Sequence, residues 1–487
     1  MLWKKLFRTM WQYKAQFISM ILMITIGVGI FVGFNMEWVS IDINTKRFFK
    51  ESHFADYRVV SELGFSEEDA GNVENIKGVD KVSRYISVPA DVKEKDGDSL
   101  ALTVTENFDV SSFLKVDGAD YDKKSEDGLW ISDKYAAAND ISIGDKLTLV
   151  YKGITINTVV KGTVKSGEHL VCVRDETQLM PDYNTYGFGY ISPAAYKKAL
   201  GRDYYPQLNI ISDLSKEEIT DKTDDALGKT TLVLSKDENS SYSAADGEME
   251  EGKTMGSVLP VLFLLIAVLT MVTTMHRLTA KEKVQIGTLK ALGFRDKRIL
   301  RHYTSYAFMI GIIGSVAGIG LGYLVARMIM GRDGTMGTYF DMPYWELRLP
   351  TFCIVILAVL ILALTLIGFL SVKEMLKGTA ADSLRPYAPK KMKKLLLEKT
   401  ALWNRFSFGT RWNMRDIMRH KSRTLMSLVG IAGCMVIVVG TMGMRDTMNA
   451  FLSTYYDDSM KYSSRIYLSE TATEEDTQKI IDTYKGD

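Results

Sequence analysis

Hydrophobic and polar positions divide this chain into five long uncharged runs separated by polar segments of very unequal length. The runs are residues 15–36, 254–275, 303–326, 349–372 and 424–444, each free of Asp, Glu, Lys and Arg and rich in Leu, Ile, Val, Met and Phe. A helix needs roughly 20 apolar residues to cross a hydrocarbon core, so all five predict membrane spans. The first run is too long for a signal-peptide core, and the residues after it, Phe34, Asn35, Met36 and Glu37, offer no small-residue cleavage site. It is expected to remain as an anchor.

Between the first two runs lie about 217 residues with mixed periodicity. Residues 56–60 (DYRVV), 100–104 (LALTV), 146–151 (KLTLVY), 154–160 (ITINTVV) and 169–173 (HLVCV) predict strands by β-branched content and partial alternation. Residues 67–76 and 192–200 predict short helices. The acidic stretch 235–253 (SKDENSSYSAADGEMEEGK) predicts a mobile tether to the second span. The expected fold class is an α-helical transmembrane bundle carrying a large mixed α+β domain.

Charge then orients the chain. The first 14 residues carry 4 Lys/Arg and no acid, residues 276–302 carry 8 against 2, and residues 373–423 carry 14 against 4. These segments hold +20 within a chain whose net charge is +1, so the remainder sums to −19. Basic residues accumulate on the cytoplasmic side in short loops. The expected order is therefore a cytoplasmic basic helix (1–14), a first span (15–36), an extracytoplasmic domain (37–253), a second span (254–275), a cytoplasmic loop (276–302), a third span (303–326), an external loop (327–348), a fourth span (349–372), a cytoplasmic basic linker (373–423), a fifth span (424–444) and a second external segment (445–487).

Sliding the chain along itself by 407 positions aligns Arg8, Lys14, Gly33 and Arg58 with Arg415, Lys421, Gly440 and Arg465, and Glu67, Glu68, Asp69 with Glu474, Glu475, Asp476. A duplication is expected, with the second external domain incomplete at Asp487, where a fragment or truncated second repeat is the simplest reading.

Within the loop 276–302, Ile286, Leu289 and Leu292 recur at roughly helical spacing, while Lys283, Lys290 and Lys297 repeat every seven residues. Gly293 followed by Phe294 predicts a left-handed helix end. From the residues alone, such a helix suits either a protein partner or an anionic lipid surface.

Other motifs carry little chemistry. Residues 247–254 (GEMEEGKT) match the phosphate-loop pattern, but three glutamates would repel phosphate and a membrane span follows. Gly311, Gly314, Gly318 and Gly322 lie inside the third span, where small residues let helices approach closely. The five histidines show no ligand spacing and the three cysteines form no disulfide framework, so no metal, cofactor or catalytic group is expected. Spans without charge argue against an ion-coupled carrier.

Three stretches carry a resemblance: KEKVQIGTLKALGFRDKRILRHY in the cytoplasmic loop, IGIIGSVAGIGLGYL in the third span and GLWISDKYAAANDISIGDKLTLVYKGITINTVVKGTV outside. Together with one span, a large external domain and three further spans, the chain resembles the FtsX/MacB-like permeases of bacterial type VII ABC systems, over residues 1–385 and again from 403. The resemblance implies a MacB-like core domain, a bacterial cell membrane location and a non-enzymatic subunit. It also implies a coupling helix for a separate cytoplasmic ABC ATPase, expected as a dimer, with Lys283, Gln285, Ile286, Gly287, Leu289, Lys290, Ala291, Leu292, Gly293 and Phe294 at the contact. Relatives commonly place an acid where Gln285 stands. Membrane lipid, and a peptide, lipoprotein, antibiotic or extracytoplasmic protein client, are the other implied partners; nucleic acid is not expected. The alternative function is a membrane-anchored signalling or scaffold protein whose external domain binds a ligand.

Overall fold

The computed structural model describes residues 2–175, 178–376, 379, 398, 403, 405–419, 421–459 and 474–483. Most of the expected basic linker 373–423 lies outside them. Two compact units, residues 1–388 and 389–487, are described separately.

The first unit opens with α1 (Leu2–Gln12) and α2 (Lys14–Glu51). The sheet domain follows, as β1 (Tyr57–Val60), α3 (Glu67–Glu74), β2 (Val79–Val92), β3 (Ser99–Thr105), β4 (Phe113–Gly118), β5 (Gly128–Ser132), α4 (Asp133–Ala138), β6 (Lys146–Tyr151), β7 (Ile154–Ser166), β8 (Tyr186–Ile191), α5 (Pro193–Leu200), β9 (Gln207–Ser212), α6 (Lys216–Leu227) and β10 (Leu232–Ser235). The chain returns through α7 (Ser240–Lys281), α8 (Lys283–Ala291), α9 (Asp296–Met330), α10 (Thr335–Tyr339) and α11 (Thr351–Met375).

The strands form one sheet in the order β10-β1-β9-β2-β3-β8-β5-β7-β4, with β6 set against β2 and β7. Among the described strands, β3–β8 and β5–β7 pair in parallel and the other pairs are antiparallel. Strands β3, β5 and β8 are buried along their whole length, and β5 and β8 lack the polar alternation of a half-exposed strand. Helices α4 and α5 close one core over Leu100, Leu129, Ile131 and Tyr135, while α3 and α6 close another over Val59, Val73, Leu208 and Ile219.

Two expectations of the sequence fail here. Residues 240–253 are not a tether but the first turns of α7, capped by the Asn239 side chain, which accepts from the amides of Ser241 and Tyr242. Tyr242, Ala245 and Met249 share one face and pack against Ile41, Phe48 and Phe49 of α2, which fixes the helix despite its polar composition. Residues 169–173 are not a strand. A 3-10 turn at Gly167–His169 leads into Leu170 and Val171, whose backbone bonds go to Asp341 and Ser241 instead of a neighbouring strand. The phosphate-loop pattern at 247–254 is helical, inside α7.

Among the described residues, five helices are long and apolar enough to cross a membrane. Two of them run well past it: at 1.5 Å per residue, α2 with 38 residues and α7 with 42 span about 57 and 63 Å, roughly twice a hydrocarbon core. They form a two-helix stalk that ends under the sheet. A buried amide crosses it, Asn35 Nδ2 donating to Gly256 O at 2.9 Å.

Helices α2 and α9 interlock. A Cβ placed on Gly314, Gly318 or Gly322 would fall 2.7, 2.6 or 2.7 Å from Ile24, Val28 or Val32. In the opposite sense, Gly29 receives Leu321 at 2.7 Å and Gly33 receives Val325 at 3.0 Å. Gly311 faces α11 instead, in ordinary contact with Leu364 and Ile361. Glycines on both helices therefore make room for branched side chains of the other.

The sheet domain also contains a pH-sensitive group. His169 stacks on Phe188 at 4.5 Å, and burial lowers its pKa to about 4. Its unfolded value is near 6.5, so the unfolded chain takes up a proton that the folded domain refuses as pH falls between these values. Stability contributed by the neutral ring is complete above pH ~6.5 and lost on descent toward pH ~4. We expect a loss of about 2 kcal/mol, less than the full shift implies because the residue as a whole keeps partial solvent exposure. The variant His169→Gln should flatten that part of a stability-versus-pH curve measured by chemical denaturation.

The second unit holds α12 (Phe408–Arg419), α13 (Lys421–Ser453) and α14 (Glu474–Thr483). Shifted by 407 positions, α2 and α3 fall on residues 421–458 and 474–481, which are helical as well. The local structure thus keeps the register of the sequence repeat. Arg465 falls outside the described residues.

Candidate functional site

The site centres on α8, a short helix between the end of α7 and the start of α9. Glu282 makes the break, since its amide still bonds to Leu278 O while its residue caps the start of α8. Its carboxylate is fully buried. It accepts from the Tyr303 hydroxyl of α9 at 3.2 Å and from Gln285 Nε2 at 3.1 Å, and lies 3.9 Å from Lys5 Nζ of α1. Burial lowers the Lys5 pKa and the nearby Glu282 carboxylate opposes that shift. One carboxylate therefore ties α1, α7, α8 and α9 together.

The inner face of α8 is fastened by packing. Ile286 is 1% exposed and Gly287 buried, and Leu289 and Phe294 pack against the same membrane core as Leu278, Ile299 and Tyr303. Lys290 turns inward as well, donating to Leu376 O at 2.7 Å and pairing with Asp296 at 3.2 Å. Gly293 closes the helix with φ +80°, its amide on Lys290 O and the Phe294 amide on Leu289 O. A glycine takes this left-handed conformation without a Cβ clash.

The outer face is different. Val284 and Leu292 are 57% and 70% exposed, and Thr288 and Ala291 are exposed between them. Beyond Leu292, the cations Arg295, Lys297, Arg298 and Arg301 line an open hollow of about 690 Å³. The arrangement is an apolar ridge beside a basic basin, and among the described residues no cluster of His, Cys, Asp and Glu could hold a metal.

The sequence-predicted residues divide between these faces. Ile286, Gly287 and Leu289 hold α8 to the bundle, whereas Ala291, Leu292 and Gly293 are exposed. Lys283, Lys290 and Lys297 do not form one outward row, because Lys290 is drawn in by Leu376 and Asp296. Gln285 is an exposed residue whose amide bonds back to Glu282. Sequence reasoning missed Glu282, Val284, Thr288, Lys5 and Tyr303. The signal for Glu282 was present, as it is one of only two acids in the loop.

Glu282→Ala should leave the Tyr303 hydroxyl without its acceptor and Lys5 without its counterion. The expected cost is about 2–3 kcal/mol, read as a lower unfolding midpoint of the detergent-solubilised chain, with a smaller loss for Glu282→Gln.

Comparison with known proteins places this geometry. Residues 257–380, from the membrane part of α7 through α8, α9 and α11, match the FtsX-like permease C-terminal family. The chain therefore carries an FtsX-like permease domain. The chain is also 25% identical over 284 residues to an uncharacterized ABC transporter permease of Methanocaldococcus jannaschii, covering 56% of this chain and 68% of that protein. Among solved structures, the extracellular domain of the noncanonic ABC-type transporter YknZ from Gram-positive bacteria matches at 14% identity and a TM-score of 0.26, over 36% of the permease and 90% of that domain. The periplasmic region of MacB from Actinobacillus actinomycetemcomitans matches at 10% identity and a TM-score of 0.25, over 42% and 95%.

Proposed function

We propose that the permease carries ATP-driven motion from a separate cytoplasmic ATPase, acting as a dimer, to its sheet domain, and that α8 is the docking element. The observation that carries this reading is the two-faced character of α8. Ile286 and Glu282 fix one side to three other helices, α1, α7 and α9, while Val284, Thr288 and Leu292 stand in solvent beside four cations. A helix so held transfers a push to the bundle instead of absorbing it.

Docking inside the cell requires α8 and the N-terminus to be cytoplasmic, which agrees with the excess of Lys and Arg in residues 1–14 and 276–302. The stalk of α2 and α7 then rises on the opposite side. Helix α9 belongs to the same moving body, because its glycines interlock with α2. Export of a peptide, lipoprotein or antibiotic, or actuation of an extracytoplasmic protein, would all use this machinery. A carboxylate on the ridge, Leu292→Asp, should abolish recovery of an ATPase with the solubilised chain; undiminished recovery overturns the docking role.

A further inference from the structure

The external turn between α9 and α11, residues 331–350, makes bonds that a simple connection between two spans does not need. Its centre is Asp341, fully buried, whose carboxylate pairs with Lys165 at the end of β7. Lys165 also pairs with Asp133 at 2.7 Å. The neighbouring Lys134 donates to Gly337 O at 2.7 Å and Phe340 O at 2.9 Å, and the Asp341 amide donates to Leu170 O at 2.7 Å. Phe340 and Met342 fill the apolar joint formed by Phe48 of α2, Ala245 of α7 and Leu170.

The same turn grips the stalk. Glu346 O accepts from Asn44 Nδ2 at 2.9 Å, its carboxylate pairs with Arg47 at 3.1 Å, and the Arg348 amide donates to Ser40 Oγ at 3.0 Å. Residues 331–350 therefore join α9, the outer half of α2 and the end of β7 in one place. Buried ion pairs depend strongly on geometry and are costly to break on one side only, which suits a joint that must transmit force without slipping.

We propose that this turn is a clamp, with Asp341 and Lys165 as its positioning residues, through which α9 drives the sheet domain alongside the α2–α7 stalk. The clamp rests on the docking function proposed for α8 and adds a second route to the outside. It predicts that sheet-domain motion can be uncoupled while ATPase docking and hydrolysis persist.

The test is hydrogen exchange on the full chain with its ATPase in lipid nanodiscs, with and without ATP. In the unmodified chain, residues 283–300 and the ends of β5 and β7 should both change protection with nucleotide, while the Asp341 amide stays equally protected in both states. Asp341→Asn should keep the change at 283–300 and ATP hydrolysis, and lose the change at β5 and β7. Lys134→Met, which removes the bonds to Gly337 and Phe340, should weaken it in the same direction.

An unaltered nucleotide response at β5 and β7 in Asp341→Asn overturns the clamp. So does loss of Asp341 amide protection in one nucleotide state of the unmodified chain, a reading that needs no variant to fold. If residues 283–300 of the unmodified chain do not respond to ATP, the docking function of α8 fails instead.

Discussion

Gly318→Leu is expected to abolish the folded membrane bundle or leave it severely destabilised. A Cβ at this position already falls 2.6 Å from Val28, and Thr25 O lies 3.1 Å away. No rotamer removes a Cβ, so α2 and α9 must separate along their length. Overpacking a tight core costs about 1–3 kcal/mol. Separation also loosens Ile24 against Gly314 and Val32 against Gly322, so the total should exceed about 3 kcal/mol. Two residues on, Gly320 has nothing within 4 Å of the equivalent Cβ. Gly320→Leu should leave the melting temperature of the solubilised chain nearly unchanged, and equal losses in both variants would contradict the interlocked pair.

The second large effect is expected at Leu292. Its side chain is 70% exposed at the tip of the α8 ridge, so Leu292→Asp should cost the permease little stability by itself. In a partner's cleft, the same change replaces an apolar anchor by a carboxylate that must lose its water. A central anchor is worth about 2–4 kcal/mol. A loss near 3 kcal/mol weakens binding roughly a hundredfold, enough to remove the ATPase from a purification carried out near micromolar concentration. Binding should also weaken on raising salt if Arg295, Arg298 and Arg301 contribute.

How much of this was legible in the sequence follows from what each signal depends on. The bilayer demands long uncharged runs wherever a helix crosses it, so all five spanning helices stood out. Gly293 was legible because helix termination by a left-handed residue is a local property. Strands β1, β3, β6 and β7 carried β-branched residues, whereas β5 (GLWIS) and β8 (YGFGYI) are short, glycine-containing and wholly buried, leaving no alternation to detect.

The misread segments share one cause. The first turns of α7 are polar, and only the spacing of Tyr242, Ala245 and Met249 hints at a helix with a partner. Leu170 and Val171 resemble a strand because they are apolar, but they are buried at the joint between the stalk and the sheet. On α8 two stripes were available, Ile286 with Leu289 and Val284 with Leu292. Spacing alone does not say which faces the bundle. That choice is made by Tyr303, Lys5 and the rest of the core, residues distant in sequence.

The most direct measurement is site-specific photo-cross-linking from α8 in membranes containing the cognate ATPase. With the photoreactive residue at position 292, a single adduct with the ATPase is expected, and with it at position 286 the product should be internal to the permease. An adduct with lipid alone at position 292, or equal ATPase adducts from both positions, would contradict docking through the outer face of α8.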